Sequence, residues 1–332
     1  MTVTSPSSEH PFERLAPARI VAAVESLGFW LPGEPFALNS YENRVFLLSD
    51  DERRRWVVKF YRPGRWSDAQ IQEEHDFLAE LEADEVPVAA PWRNAEGHSL
   101  HLWEGYRFAL FPQVVGQAPE LENPGHLFAL GELIGRVHAV GARRAFVQRR
   151  RMDFDGMVRE SREQVLAGSW LNRRQRQAYE RISGELCRTL QGLAWPASSA
   201  IRVHGDCHIG NILGRDEAFS LVDFDDALMA PRIQDLWMLL TAQTPEEEQG
   251  QLSEIIEGYE QFTEFNRREL ALIEPLRTWR LMRHSAWLTA RWSDPAFPRA
   301  FPWAADEGYW DQHIRTLEQQ RQALEKAPRW LA

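Results

Sequence analysis

Apolar residues recur at helical spacing over residues 13–29, where Leu15, Ile20, Val21, Val24 and Leu27 share a face and Gly28 ends the pattern. From Phe36 the period shortens to that of strands. Phe36-Ala37-Leu38, Arg44 to Leu48 and Trp56 to Tyr61 are β-rich runs, separated by polar Asn39–Asn43 and charged Ser49–Arg55, and predict a three-strand antiparallel meander. Pro63-Gly64 breaks it. A helix is expected from about Ser67 to Ala83, with Ile71, Phe77, Leu78 and Leu81 on one face and Ser67 and Gln70 at capping-box spacing. Val86 to Pro91 reads as extended. Residues 98–103 and 106–111 read as a hairpin turning at Glu104-Gly105 and ended by Phe111-Pro112.

Beyond Gly116 the pattern turns helical. Leu127, Phe128, Leu130, Leu133, Ile134, Val137 and His138 form a stripe, and 150–168 and 172–194 are charged and amphipathic. A β-like interruption follows: apolar Ile201 and Val203, a polar loop, Ile212-Leu213, a turn at Gly214-Arg215-Asp216, and the run Phe219 to Val222. Pro231 then precedes a helix through Leu236, Trp237, Leu239 and Leu240, with further helices at about 246–263, 267–292 and 306–326. No internal repeat is visible. A sheet-rich first part and a helical second part predict an α+β chain of two lobes, 1–112 and 113–332.

With 332 residues and 44% hydrophobic content, either lobe can bury a core. The net charge of −11 argues against a nucleic-acid-binding face, which needs basic surface. Cys187 and Cys207 make no disulfide framework, so a reducing cytoplasm is expected. Residues 1–12 are polar with no apolar core, and no stretch reaches the ~18 apolar residues of a membrane span. A soluble protein without signal peptide or membrane contact is the expectation. The fourteen tryptophans, Trp66, Trp92, Trp103, Trp237, Trp279, Trp287 and Trp292 among them, are spread too widely for one patch, which suits core and groove walls more than ligand stacking.

The chemistry concentrates in His204-Gly205-Asp206-Cys207-His208-Ile209-Gly210-Asn211-Ile212-Leu213, answered by Leu221-Val222-Asp223-Phe224-Asp225. Phosphoryl transfer needs few protein groups: one to accept the hydroxyl proton, ligands for a divalent cation, and positive charge for the phosphates. Asp206 and Asn211 have the Asp-x-x-x-x-Asn spacing of a kinase catalytic loop, and Asp223 stands where a metal-binding aspartate would follow it. Two other readings compete. Asp and Asn in a loop often only shape the turn. His204, Asp206 and His208 are also ordinary zinc ligand types, although neither cysteine has a C-x-x-C partner to complete a set. Lys59, between Val58 and Phe60 on a central strand, is costly unless its ammonium is paired.

The words His-Gly-Asp-x-His-x-x-Asn-Ile-Leu and Asp-Phe-Asp resemble the aminoglycoside phosphotransferase and choline kinase superfamily, a branch of the kinase fold. Leu38-Asn39-Ser40-Tyr41-Glu42-Asn43-Arg44-Val45, Gln72-Glu73-Glu74-His75 and Val222-Asp223-Phe224-Asp225-Asp226 most resemble its stress response kinase family, bacterial serine/threonine protein kinases. The likeness runs from Leu38 to the Trp-rich helices near residue 290. It implies a bilobal protein-kinase-like fold, with a five-stranded antiparallel N-lobe sheet plus one helix, a mainly helical C-lobe, and ATP in the cleft near 112–117. It also implies roles: Asp206 as catalytic base, Asn211 and Asp223 as Mg²⁺ ligands, and Lys59 on the α/β-phosphates with Glu74 as its partner and Glu73 as fallback. The loop Asn39–Asn43 would cover the phosphates, and since it has no glycine, Ser40 and Asn43 would have to supply donors. His204 and Asp235 are expected to hold the loop, and Cys207 to fill space. His208 either neutralises charge on the transferring phosphoryl or packs.

The expected activity is ATP- and Mg²⁺-dependent transfer to Ser/Thr hydroxyls of protein substrates, the enzyme itself included, by a cytoplasmic monomer. The acidic surface does not oppose ATP, because lysine and Mg²⁺ supply local positive charge. The rival is a small-alcohol kinase for a choline-, homoserine- or aminoglycoside-like acceptor, with the acidic 245–274 region and Trp279, Trp287 and Trp292 forming a cage. A pseudokinase is the reading from another class, and the presence of Lys59, Asp206 and Asp223 speaks against it.

Overall fold

The computed structural model describes residues 11–192 and 200–326. The polar segment 1–10 and the last two positions of the helix expected at 172–194 lie outside these residues. The chain divides into two units, Met1–Val115 with Ser220–Asp225, and Gly116–Phe219 with Asp226–Ala332.

In the first unit, α1 (Pro17–Glu25) starts later than its apolar pattern because proline sits at its first position, where a fixed φ and a missing N–H cost nothing. It is followed by β1 (Phe36–Ala37), β2 (Arg44–Ser49), β3 (Arg55–Phe60), α2 (Asp68–Ala83), β4 (His101–Trp103) and β5 (Tyr106–Pro112). The strands form one antiparallel sheet in the order β1-β2-β3-β5-β4, as the meander and hairpin patterns predict. Glu104 and Gly105 both have positive φ, the backbone a two-residue hairpin loop requires. Ser67 caps α2 with Gln70 in the reciprocal box read from the sequence.

Alternation along β3 sets the next level. Val58 and Phe60 are fully buried and join Phe108, Leu110, Ile20 and Val24 in a core under α1. Lys59, between them, is sent to the other face. Its register partners are Val45 on β2 and Ala109 on β5, so the lysine stands at the centre of the sheet.

The second unit contains α3 (Pro124–Gly141), α4 (Phe154–Ala167), α5 (Arg173–Gln191), β6 (Ile201–Val203), β7 (Ile212–Arg215), β8 (Ala218–Leu221), whose last residues belong to the first unit, and β9 (Leu228–Ala230). It ends with α6 (Ile233–Leu236), α7 (Pro245–Tyr259), α8 (Ile273–Arg291), α9 (Ala296–Ala300) and α10 (Glu307–Leu324). β6 pairs with β9, and β7 pairs with β8 as a hairpin. Strand β9 is not visible in the sequence pattern: its three residues are all buried, so nothing alternates. α3 and α7 cross closely, since a Cβ on Gly131 would lie 2.1 Å from the Ile255 carbonyl oxygen.

The helix expected over 267–292 is two elements. A 3-10 turn at Arg267–Leu272 precedes α8, because Pro275 is tolerated only in a first turn and so fixes the start near Ile273. Among the described residues, no helix is long and apolar enough to cross a membrane.

Candidate active site

In the first unit the strand-centred Lys59 meets carboxylates from two other elements. Its Nζ lies 2.6 Å from Asp223 Oδ1, 3.5 Å from Asp225 Oδ1 and 4.0 Å from Glu74 Oε1. Burial disfavours the ammonium, but the three carboxylates outweigh it and raise Lys59 well above the ordinary lysine range. Glu74, not the more exposed Glu73, is the buried residue of α2 that reaches the lysine. Next to it, His75 is clamped between the Tyr61 hydroxyl at 2.7 Å and Ser99 Oγ at 2.9 Å, which fixes this turn of the helix.

Asp223 lies beyond the end of β8 with a φ of 63°, a left-handed conformation that few non-glycine residues hold. Its side chain is half exposed, whereas Asp225 is buried and also pairs with Arg65 at 2.6 Å. Arg65 gave no signal in the sequence beyond its place after Pro63-Gly64. The loop Asn39–Asn43 holds itself together. Ser40 Oγ accepts from Val45 N–H and donates to the Leu38 carbonyl, and Asn43 Oδ1 accepts from Arg62 N–H. Arg62 also donates to the Glu42 and Tyr41 carbonyls. Ser40 and Asn43, expected to face the phosphates, are thus engaged in shaping their own loop.

In the second unit the loop after β6 is built on Asp235, which is 1% exposed. Its two carboxylate oxygens accept the backbone N–H groups of His204 at 2.7 Å and Gly205 at 2.8 Å, and His138 Nε2 lies 3.0 Å away. Gln234 donates to the Gly205 carbonyl. Gly205 has a φ of 87°, and a Cβ there would fall 2.2 Å from the Asp226 carbonyl oxygen, so only glycine turns the chain here.

Asp206 emerges from this base. Its N–H donates to His204 Nδ1, and its carbonyl accepts from Asn211 Nδ2 at 3.0 Å, tying the two ends of the Asp-x-x-x-x-Asn word. His208 Nδ1 accepts from Gly210 N–H, so the neutral ring carries its proton on Nε2, 3.5 Å from Asp206 Oδ2. The other oxygen, Oδ1, receives Arg280 Nη1 at 2.7 Å. Burial and Asp226 push the Asp206 carboxyl up, yet the His208 hydrogen bond and the Arg280 charge hold it well below the usual carboxylate range. Asp206 is therefore ionised and can only accept. Buried Cys207 is shifted the opposite way, well above the ordinary thiol range, so it fills space as a neutral thiol. His204 and His208 each give Nδ1 to a backbone N–H, which suits loop building better than metal ligation.

Asn211 and Asp223 offer hard oxygen donors. The Asn211 amide nitrogen is committed to Asp206, which leaves its Oδ1 as the acceptor, and Asp223 presents a half-exposed carboxylate. Each, taken in its own unit, is an oxygen donor of the hard type that divalent cations take. Arg280 and His138 escaped the sequence reading. His138 appears there only as one position of an apolar stripe, and Arg280 lies on a helix far along the chain.

The model of the phosphotransferase enzyme family matches residues 34–273. The serine/threonine protein kinase RdoA of Salmonella typhimurium is 42% identical over 317 residues, covering 96% of each chain. Stress response kinase A of Escherichia coli K12 is 41% identical over 322 residues, covering 97% of each. Among solved structures, an amicoumacin kinase in complex with AMP-PNP and Ca²⁺ superposes with a TM-score of 0.71 at 21% identity, covering 93% of each chain. A microcompartment-associated aminopropanol kinase gives 0.68 at 17% identity, covering 92% of this chain and 96% of its own.

Proposed function

The chain belongs to the phosphotransferase enzyme family and, within it, to the stress response kinases; on that premise we propose that this kinase transfers the γ-phosphoryl of ATP to serine and threonine hydroxyls of proteins, with Mg²⁺ as its cation. The observation that carries the reading is the ionised, loop-held Asp206, joined through its carbonyl to Asn211.

Each residue then has one task. Lys59, held at the sheet centre, binds α/β-phosphate oxygens, and Glu74 keeps its ammonium in place. Ser40 and Asn43 shape the loop whose backbone covers the phosphates. Asn211 and Asp223 are the residues that would hold Mg²⁺, which would supply charge to the phosphoryl oxygens. Asp206 accepts the hydrogen bond of the acceptor hydroxyl and aims its oxygen in line. A carboxylate held at low pKa is a weak base, so orientation outweighs proton removal, which suits a loose transition state. Arg280 keeps Asp206 ionised for that role.

The 42% identity to a serine/threonine protein kinase supports the protein acceptor. The aromatic cage of the rival reading finds less support. Trp279 is 5% exposed under the Arg283 guanidinium, Trp287 packs on Phe297 and Phe301, and Trp292 packs on Trp170. The reading is tested by offering labelled Mg·ATP with generic protein acceptors, the enzyme itself and a panel including choline and an aminoglycoside. Label on protein serine or threonine is the expected result, and label on a small alcohol alone would replace the acceptor.

A further inference from the structure

Helix α8 brings two arginines to the catalytic loop. Arg280 and Arg283 are three residues apart and so share a face. Arg280 Nη1 lies 2.7 Å from Asp206 Oδ1, and Arg283 Nη2 lies 2.9 Å from Asp226 Oδ1. Their side chains are 41% and 39% exposed. Arg277, one turn earlier, differs: it is 19% exposed and bound on both sides, by Glu248 and by Glu274, at 2.9 Å each. A guanidinium carries five N–H donors, and among the described residues Arg280 and Arg283 each spend theirs on a single carboxylate. His284, one turn after Arg280, stacks on the 43% exposed Trp303 and extends the same face with an aromatic floor.

In a chain whose net charge is −11, these two guanidinium groups each balance one carboxylate and keep N–H donors beyond that pair. An alcohol bearing an ammonium group meets two guanidinium groups on its way to Asp206, whereas a carboxylate beside the acceptor hydroxyl finds a second partner for each. We infer that the Arg280–Arg283 face reads the acceptor and takes a serine- or threonine-bearing segment with acidic side chains flanking the hydroxyl. The inference rests on the protein-acceptor reading and names its substrate class. Arg280 bridges Asp206 and the substrate carboxylate, which sets the hydroxyl against the base. Arg283 binds the next acidic side chain. Half-exposed pairs of this kind contribute a few-fold each, so the two together give roughly a tenfold preference.

The test is kcat/KM on peptides with one central serine, differing only in whether the flanking residues are Glu, Gln or Lys, for the wild type and for Arg283→Glu. The wild type is expected to prefer Glu over Gln by about tenfold and Gln over Lys by a similar factor, carried mainly by KM. Arg283→Glu should invert the order of the Glu and Lys peptides. A variant damaged only in its folding lowers all three values together and leaves their ratios, so unchanged ratios overturn the inference. Phosphorylated peptides without charge preference overturn it while the protein-acceptor reading stands. Labelling of a small alcohol with no peptide labelled overturns both.

Discussion

Lys59 Nζ lies 2.6 Å from Asp223 Oδ1, closer than to the Glu74 carboxylate that the sequence pattern pairs with it. One ammonium thus serves three carboxylates, two of them buried. Lys59→Met takes the ammonium away from buried Glu74 and leaves Asp225 with Arg65, and losing one partner of a buried ion group costs about 3 kcal/mol or more. The variant is expected to unfold at lower denaturant and to lose nucleotide binding. Equal stability and affinity would show that the lysine matters to neither.

Asp235 holds the loop that carries Asp206. Asp235→Ala takes the acceptor from the N–H groups of His204 and Gly205 and from His138 Nε2, whose ring keeps its Tyr259 contact at Nδ1. The expected loss is about 2–4 kcal/mol of stability together with a fall in kcat. Chemical unfolding and single-turnover transfer check it, and a variant as active as the wild type would remove Asp235 from the account.

Gly205→Ala probes the same turn from the backbone side. A Cβ at a φ of 87° and 2.2 Å from the Asp226 carbonyl oxygen cannot be fitted without moving the chain. A loss of about 2 kcal/mol or more in unfolding free energy is expected, with transfer reduced because Asp206 follows directly.

Much of the first unit is legible from local rules. The Ser67–Gln70 cap, the Glu104-Gly105 turn and the burial alternation around Lys59 each depend on a few neighbouring residues. The Asp206–Asn211 word is legible for the same reason: its closing hydrogen bond spans five positions. Arg280 is not, since it reaches Asp206 across 74 positions and nothing in the α8 sequence distinguishes it from Arg277 or Arg283. Ser40 and Asn43 show the converse. Their residue types suggest donors for a ligand, and only the loop geometry reveals that they bind Val45 and Arg62.

His313 makes stability depend on pH. Its ring is stacked between Tyr179 and Tyr309, and burial with the nearby His284 lowers its pKa to about 4. The folded state therefore excludes a proton that the unfolded chain binds below about 6.5. This contribution is complete above pH 6.5 and is lost as pH falls toward 4, amounting to about 3 kcal/mol. Unfolding curves between pH 7 and pH 4.5 should show a steeper decline for the wild type than for His313→Gln. Parallel curves would contradict the assignment.

Under the proposed function Asp206 acts on the acceptor and not on the nucleotide. The most direct test is the Kd for Mg·ATP and the single-turnover transfer rate of the wild type and Asp206→Asn, measured side by side. Nearly equal Kd values are expected, with a transfer rate lower by roughly 10²-fold or more for Asp206→Asn. Transfer at the wild-type rate, or a loss fully explained by weaker ATP binding, would contradict that role.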